Sequence, residues 1–499
     1  MTESTRNASN HATANRADIV VFLQDSLLQL QRLVEQFLQQ PITPVNFHHL
    51  EISIRLQLQL IGRGLLQYTL GQLEPATVEE ASPRITFQGD TYRRRPKQPK
   101  TIYSSFGPLE YSRFRYEGCE RGQKSIFPLD LQLGLEAHLA TPVLAERVGR
   151  LVVDHEQSQV LNMLARDHGV CWATPTLRKV TAAISNGMAS FREEAQVHKV
   201  LGWLKQAFAS KGRYRPVLTV GRDGIMVPIR NQGFKEASSA TLAVYNRRRK
   251  RLGTVYLGFM PEPGQTTMTE QLTALVKRVL SEWHAQQGAC PRLAYVTDGG
   301  HHPREYFKTV LRKMPDLWSR DPKQKLAWQW ILDYWHVCGY VSKLATALFG
   351  ETGKAHKWFA TMRRWLRDRR GGIANILRSA TQHLALVGKR TKAQEEVFEE
   401  AYRFLRKNSR WMQYADYRRA GLPIGSGITE AACKTVFTQR LKRSGMSWHN
   451  VSGQRIVNLR VLHLSGVWQE AHANYLNTME FPKEGSGKRS AAKTSQKAA

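Results

Sequence analysis

Apolar residues recur at helical spacing near the start of the chain: Ile19, Val20, Leu23, Leu27, Leu30, Leu33 and Phe37. This predicts a helix over residues 17–40, ended by Pro41 and Pro44, and a second over 46–72. Such a region either binds DNA, dimerises or simply packs. The character changes over 84–118, where ITFQG, TIYSSFG and LEYSRFRYEG read as short strands separated by turn residues. The basic run 92–97 is expected to connect two of them, either touching phosphates or standing as a solvated loop. Helical spacing returns from 131 to about 208. Within it, 158–167, a turn at 168–170 containing Gly169, and 175–188 behind Thr174 and Pro175 have helix-turn-helix rhythm, with Arg178 and Lys179 on the second helix. An ordinary helix pair has the same rhythm.

The most regular pattern begins at Arg215. VLTVGRDGIMVPIR predicts a strand, ATLAVYNRRRKRLGTVYLGF two strands around a basic turn, 269–287 an amphipathic helix and RLAYVTDGG an apolar strand. A helix over 303–313 and a strand through AWQWILDYWHV complete the series. Three strands, helix, strand, helix, strand is the order of an RNase H-like α/β domain. A long helical stretch rich in Trp and Arg follows, and then a Gly-rich turn leading into a helix with Glu430. The expected organisation is a multi-domain α+β chain. It has a polar, disordered tail (1–17), a helical region (18–80), a small β region (84–130) and a helical, helix-turn-helix-like region (131–210). An RNase H-like core follows in two parts (215–337 and 421–470) around an all-helical segment (338–420), and a disordered basic tail closes the chain (484–499).

Charge adds the first functional clue. Lys and Arg number 73 against 41 Asp and Glu, a net charge of +32. Such an excess repels itself unless a polyanion compensates it, and nucleic acid is the usual one. Five scattered cysteines without a C-x-x-C pair argue against a disulfide framework and against a zinc site built from thiolates alone. No leader and no apolar run of membrane-spanning length is visible, so a cytoplasmic, nucleoid-associated protein without a membrane partner is expected.

Three carboxylates stand out. Asp223 is followed by Gly224, Asp298 by Gly299 and Gly300, and Glu430 follows Gly425-Ser426-Gly427. Neighbouring strands bring two such groups close, and a helix across the sheet adds a third. Their repulsion would hold one protonated unless a cation neutralised it. All-oxygen ligands select Mg²⁺ or Mn²⁺, and two such ions, about 3.5–4 Å apart, suit in-line phosphoryl transfer. Singly, each has a plainer reading, as a turn, cap or helix-dipole residue.

GRDGIMVP, VTDGG, LDYWHV and GLPIGSGITEAACKTVFTQRLKRSGMSW, with FGPLEYSRFRYEGC and FPLDLQLGL upstream, resemble the DDE transposases of bacterial insertion sequences. The likeness is to the ISKra-type group and, more distantly, to mutator-type families, and it covers about residues 100–465. It implies that Asp223, Asp298 and Glu430 bind two Mg²⁺ (or Mn²⁺) ions, and that water and then a freed 3′-hydroxyl attack DNA phosphates. It places His336, in the Asp333-x-x-His336 pair, near the scissile phosphate or in the active-site network. The other reading of His336 is a buried residue beside Trp335. The resemblance also implies an all-helical insertion between Asp298 and Glu430. There, Trp358, Arg363, Arg364, Trp365, Arg367, Arg369 and Arg370 either form a basic aromatic surface for unpaired bases and phosphates, or divide into core tryptophans and a solvated arginine face. Lys434, Arg440, Lys442 and Arg443 are expected to clamp the DNA backbone, and Trp448 to stack on a flipped base. Relatives often carry paired cysteines before the P-L-D segment. Only Cys119 remains here, so no zinc is expected.

The expected activity is metal-dependent strand cleavage and strand transfer at element ends and target duplex DNA, by a homo-oligomer. A catalytically silent, domesticated DNA-binding protein and an RNase H-like nuclease are the alternatives.

Overall fold

Pro41 and Pro44 break the first apolar periodicity where expected. In the computed structural model, which describes residues 16–120, 122–386 and 390–484, α1 spans Arg16–Leu38 and α2 spans Pro44–Leu73. Thr43 caps α2, its hydroxyl accepting from the Asn46 N–H at 3.2 Å ahead of Pro44 in the first turn. The tails expected at 1–17 and 484–499 lie outside the described residues, except for Arg16 and Ala17, which open α1, and Glu484.

The chain divides into two units, 1–187 with 474–499, and 188–473. In the first unit, α1 and α2 precede an antiparallel sheet of β1 (Arg84–Phe87), β2 (Asp90–Ser104) and β3 (Gly107–Gly118), and the two-residue β9 (Lys483–Glu484) adds to β1. Gln88 and Gly89, both at positive φ (52° and 89°), make the tight turn between β1 and β2. The basic run 92–97, expected as a connection, is instead the first half of β2. Its long stems lie along the sheet, with Lys97 Nζ 4.9 Å from the centre of the Phe114 ring. A bulge between Arg95 and Lys97 accommodates Pro96, which cannot donate to the ladder. The helices α3 (Pro128–Gln132), α4 (Pro142–Asp154), α5 (Gln157–His168) and α6 (Thr174–Ala189) follow. Gly169, at φ +63°, ends α5 and makes the turn of the expected helix pair.

The second unit opens with α7 (Arg192–Ala209) and is built on a five-stranded mixed sheet in the order β6-β5-β4-β7-β8. β4 (Val217–Ile229), β5 (Gly233–Tyr245) and β6 (Arg251–Phe259) form an antiparallel meander. β7 (Arg292–Thr297) runs parallel to β4, and β8 (Trp328–Leu332) parallel to β7. The crossovers carry α8 (Thr266–Ala285) and α9 (His301–Thr309). Every strand and helix expected between 215 and 332 is present in that order. One expectation fails: the strand through AWQWILDYWHV stops at Leu332, and Asp333 caps α10 (Tyr334–Phe349).

Four more helices follow: α11 (Gly353–Asp368), α12 (Gly372–Leu386), α13 (Lys392–Asn408) and α14 (Tyr414–Arg419). Trp411, after α13, packs 5.0 Å from the buried Trp330 ring of β8, and Tyr414 donates to the Leu332 carbonyl at 2.9 Å, so this helical stretch is anchored on the sheet. α15 (Gly427–Ala432) continues through a π-helical segment (Cys433–Thr438) into α16 (Gln439–Leu441), and α17 (Asn450–Leu464) and α18 (Trp468–Asn477) are the last helices among the described residues. Successive residues of β4 show what covers the sheet. Gly221 faces Thr429 of α15, while Arg222 on the opposite face bonds to Thr269 of α8.

Candidate active site

β4 is fully buried through Arg222, and Asp223, Gly224, Ile225 and Met226 reach solvent before Val227 is buried again. Asp223 shares the α15 face of the sheet with Gly221. In the parallel register Gly221 lies beside Val296 of β7, so two residues further along each chain stand Asp223 and Asp298. The Gly224 N–H donates to Asp223 Oδ1 at 2.8 Å, and the Cys433 thiol reaches Oδ2 at 3.6 Å. Asp298 lies just past the end of β7, where its Oδ1 accepts from the Gly300 N–H at 2.9 Å and Gly299 turns the chain at φ +87°.

The other two carboxylates act on Asp223. Burial, then the charge of Asp298, and less strongly that of Glu430, raise the Asp223 pKa from 3.8 to about 6. Burial, and then the Asp223 charge, push the Cys433 thiol well above its ordinary range, so it stays a neutral donor. Residues distant in sequence therefore converge on one cluster of negative charge. Among the described residues, no group of three His, Cys, Asp or Glu side chains stands close enough to hold one metal ion. The donor chemistry nonetheless fits a hard divalent cation: oxygen ligands, with a mutual repulsion that such an ion would neutralise.

Glu430 is placed by two contacts made by its neighbours. Thr429, buried, shares a 3.0 Å hydrogen bond with Thr241 of β5, which seats α15 on the sheet. This is possible because Gly221 lacks a side chain: a Cβ there would lie 1.9 Å from Thr429 Oγ1 and 2.8 Å from Thr241 Oγ1. Gly221→Ala is therefore expected to cost about 1–3 kcal/mol, and Gly221→Ala/Thr429→Ala to recover part of it, measured by denaturant titration.

The second contact comes from Asp333, which is completely buried. One of its oxygens accepts from the His336 N–H at 2.5 Å and so caps α10, while the other accepts from the Ser426 N–H. One carboxylate thus fastens the Gly-Ser-Gly loop to the end of β8. The Tyr334 N–H, donating to the Ile424 carbonyl at 2.9 Å, closes the same junction.

Two buried arginines brace the elements around the site. Arg222 bonds to Thr269 Oγ1 at 2.9 Å and to Gln265 Oε1 at 3.0 Å beneath the sheet, a cation one residue from Asp223. Arg460 of α17 donates to the Thr435 and Val436 carbonyls at 3.1 and 3.0 Å, satisfying acceptors of the π-helical turn that follows Glu430. Glu236 of β5 lies on the opposite face of the sheet, the face of Arg222, where a Cβ on Gly224 would lie 1.9 Å from its Oε1.

His336 is not buried beside Trp335. It is exposed on the first turn of α10, with its ring against Tyr340 and Phe404 at 5.4 and 5.9 Å, and its side chain makes no hydrogen bond to the three carboxylates among the described residues. Arg178 and Lys179 are exposed on α6, and Arg178 donates to Gln157 Oε1 at 3.1 Å. Arg363, Arg364, Arg367 and Lys434 are exposed, and Lys442 and Arg443 half-buried. Two expected DNA contacts are instead turned inward. Arg440 is 2% exposed and lies 5.2 Å from the Trp448 ring centre, while the Trp448 indole N–H donates to the Leu441 carbonyl at 2.9 Å. Trp358 is likewise core, 8% exposed with its N–H on Ser379, and Trp365 is half-buried under Arg369.

Asp333, Arg222, Arg460 and Glu236 had no assigned role from sequence. Only Asp333 left a local signal, an Asp opening an apolar helix. No family model matches the chain, and the search of curated proteins gave no match.

Proposed function

We propose that this chain is a DNA transposase of the DDE type, acting on the ends of a mobile element and joining them to target DNA. The observation that supports this reading is the placement of Asp223 and Asp298 at the ends of the adjacent parallel strands β4 and β7, with Glu430 on the helix that Thr429 seats on the same face and Cys433 of its continuation reaching Asp223. The strand order, an antiparallel meander extended by two parallel strands, supports an RNase H-like reading of the core, as does the helical stretch between the second and third carboxylates. The net charge of +32 suits a polyanionic substrate.

Asp223, Asp298 and Glu430 would hold two Mg²⁺ ions, which supply charge neutralisation at the attacking and leaving oxygens of phosphoryl transfer. The chain's own residues do the rest. Asp333 and Thr429 fix the loop and helix that carry Glu430, and Lys434, exposed four residues beyond Glu430, is available to a flanking phosphate. Exposed leucines on α1 and α2, Leu27, Leu28, Leu56, Leu58 and Leu60 among them, leave apolar area available for self-association, as pairing of two ends requires. No helix among the described residues is long and apolar enough to cross a membrane, and DNA as substrate places the protein at the nucleoid.

Incubation of a labelled duplex carrying the element's end with Mg²⁺ tests the reading. Wild-type protein is expected to nick or break the end and to join it to a second duplex. Asp223→Asn and Glu430→Gln are expected to bind the end and do neither, a loss of at least about a thousandfold. Binding without cleavage by wild type would favour the silent DNA-binding alternative. Cleavage without joining would favour a nuclease, and cleavage surviving Asp223→Asn would remove these carboxylates from the chemistry.

A further inference from the structure

Trp335 is 62% exposed, although an indole normally buries most of its surface. It sits on the first turn of α10, two residues after Asp333. A Cβ on Gly425 would lie 3.5 Å from its Cδ1, so the indole stands against the loop that leads to Glu430. On its other side it meets Tyr334 edge-on, with ring centres 5.2 Å apart.

Tyr334 in turn lines a cavity of about 590 Å³ with Lys357, Arg363, Arg364 and Arg367 of α11. The Tyr334 hydroxyl donates to the Arg363 carbonyl at 3.0 Å, which fixes the wall between indole and cavity. Arg367 is paired with Asp368 at 2.9 Å, but among the described residues no carboxylate lies within ion-pair distance of Lys357, Arg363 or Arg364. Three uncompensated cations in one open cavity select a phosphate-rich ligand.

We propose that Trp335 and this cavity form a grip for an unpaired DNA strand, the indole stacking on a base beside the carboxylate cluster while Lys357, Arg363 and Arg364 hold the phosphates that follow. The inference rests on the reading of the cluster as a DNA-processing site and names the form of DNA that it receives. The combination of one exposed ring and a row of cations is what favours a single strand. A duplex offers its phosphates but keeps its base faces stacked internally, so Trp335 would gain nothing from it. The indole belongs to α10, whose first turn is tied to the sheet through Asp333, so the ring is presented on a rigid element.

The test is fluorescence anisotropy with the full chain in EDTA, using a labelled strand of about 12 nucleotides, its blunt duplex, an abasic strand of equal length, and the matching RNA. Trp335→Ala is expected to weaken binding of the strand about tenfold, with Trp335→Phe retaining most of the affinity. The abasic strand and the duplex are expected to bind both variants as they bind wild type. Arg363→Gln/Arg364→Gln is expected to weaken the strand and the abasic strand alike. A loss under twofold for Trp335→Ala, an equal loss on the abasic strand or the duplex, or a larger loss on RNA than on DNA would overturn the proposal. Ultraviolet crosslinking of a bromodeoxyuridine-containing strand to wild-type protein, mapped to Trp335, checks the contact without a substitution, and absence of that crosslink counts against it. Because EDTA removes catalysis, binding that behaves as expected beside failed cleavage would overturn the transposase reading alone. Intact cleavage with an insensitive Trp335→Ala would overturn only the grip.

Discussion

Asp223→Asn is expected to raise the melting temperature of the metal-free protein at pH 8, and the gain is expected to vanish by about pH 4. Burial, with the charges of Asp298 and Glu430, holds the folded-state pKa of Asp223 at about 6, above its ordinary 3.8. A group whose pKa is raised on folding stabilises the fold below its unfolded value, and that contribution is lost as pH rises through the folded value. The window is therefore about pH 4 to 6, and above it the wild-type protein carries the full cost of an ionised Asp223. A shift of about two units corresponds to roughly 3 kcal/mol. An Asn still accepts from the Gly224 N–H but bonds less well to Cys433, so a net gain of about 1–3 kcal/mol, several degrees for a unit of this size, is expected at pH 8.

Calorimetric melts of both proteins at pH 4, 6 and 8 in EDTA measure this directly. A lower melting temperature for Asp223→Asn at pH 8 would mean that the three carboxylates do not crowd one another. Adding Mg²⁺ gives the complementary result. The ion is expected to stabilise the wild type more at pH 8 than at pH 5, where protons compete for Asp223, and to do little for the variant.

The strands around this cluster were legible because β4 to β7 combine β-branched, alternating or uniformly apolar residues with Gly and Asp at their ends. The segment after β8 was not. In WQWILDYWHV, aromatic and apolar residues run on both sides of Asp333, and nothing in their spacing separates a strand that ends from a helix that begins. The capping carboxylate decides it, and its second partner, Ser426, is far away in the chain. The tryptophans of α11 show the reverse case. Trp358, Met362 and Leu366 recur every four residues, a stripe that buries itself, so the residue type suggested a binding surface where the spacing indicated core. Arg222, Arg440 and Arg460 were illegible for a simpler reason. Arginine is almost always solvated, and only tertiary structure reveals carbonyls, hydroxyls and rings waiting for a buried guanidinium. The carboxylates thus stood out in the sequence, and the buried residues that support them did not.

Those supports carry the second large effect. Asp333→Asn is expected to destabilise the protein by about 2–4 kcal/mol, although it changes one atom. Both carboxylate oxygens accept from backbone N–H groups, of His336 and of Ser426. An amide supplies one acceptor, and its NH₂ must then face the other N–H, donor against donor, in a site with no access to water. Either the first turn of α10 frays or the Gly-Ser-Gly loop lifts from β8, and in the second case Glu430 loses its place. Asp333→Ala leaves both N–H groups orphaned and is expected to cost at least as much. His336→Ala is the control. It keeps the backbone N–H that Asp333 needs and removes only an exposed ring packed on Tyr340 and Phe404, so it is expected to cost under about 1 kcal/mol. Denaturant titration separates the two, and limited proteolysis at the Gly425–Gly427 loop shows which end of the clamp opens. If Asp333→Asn is as stable as His336→Ala, the carboxylate is not the fastening described here. If His336→Ala stays stable but loses the proposed DNA cleavage, the ring itself takes part in the chemistry, which its position in this structure does not require.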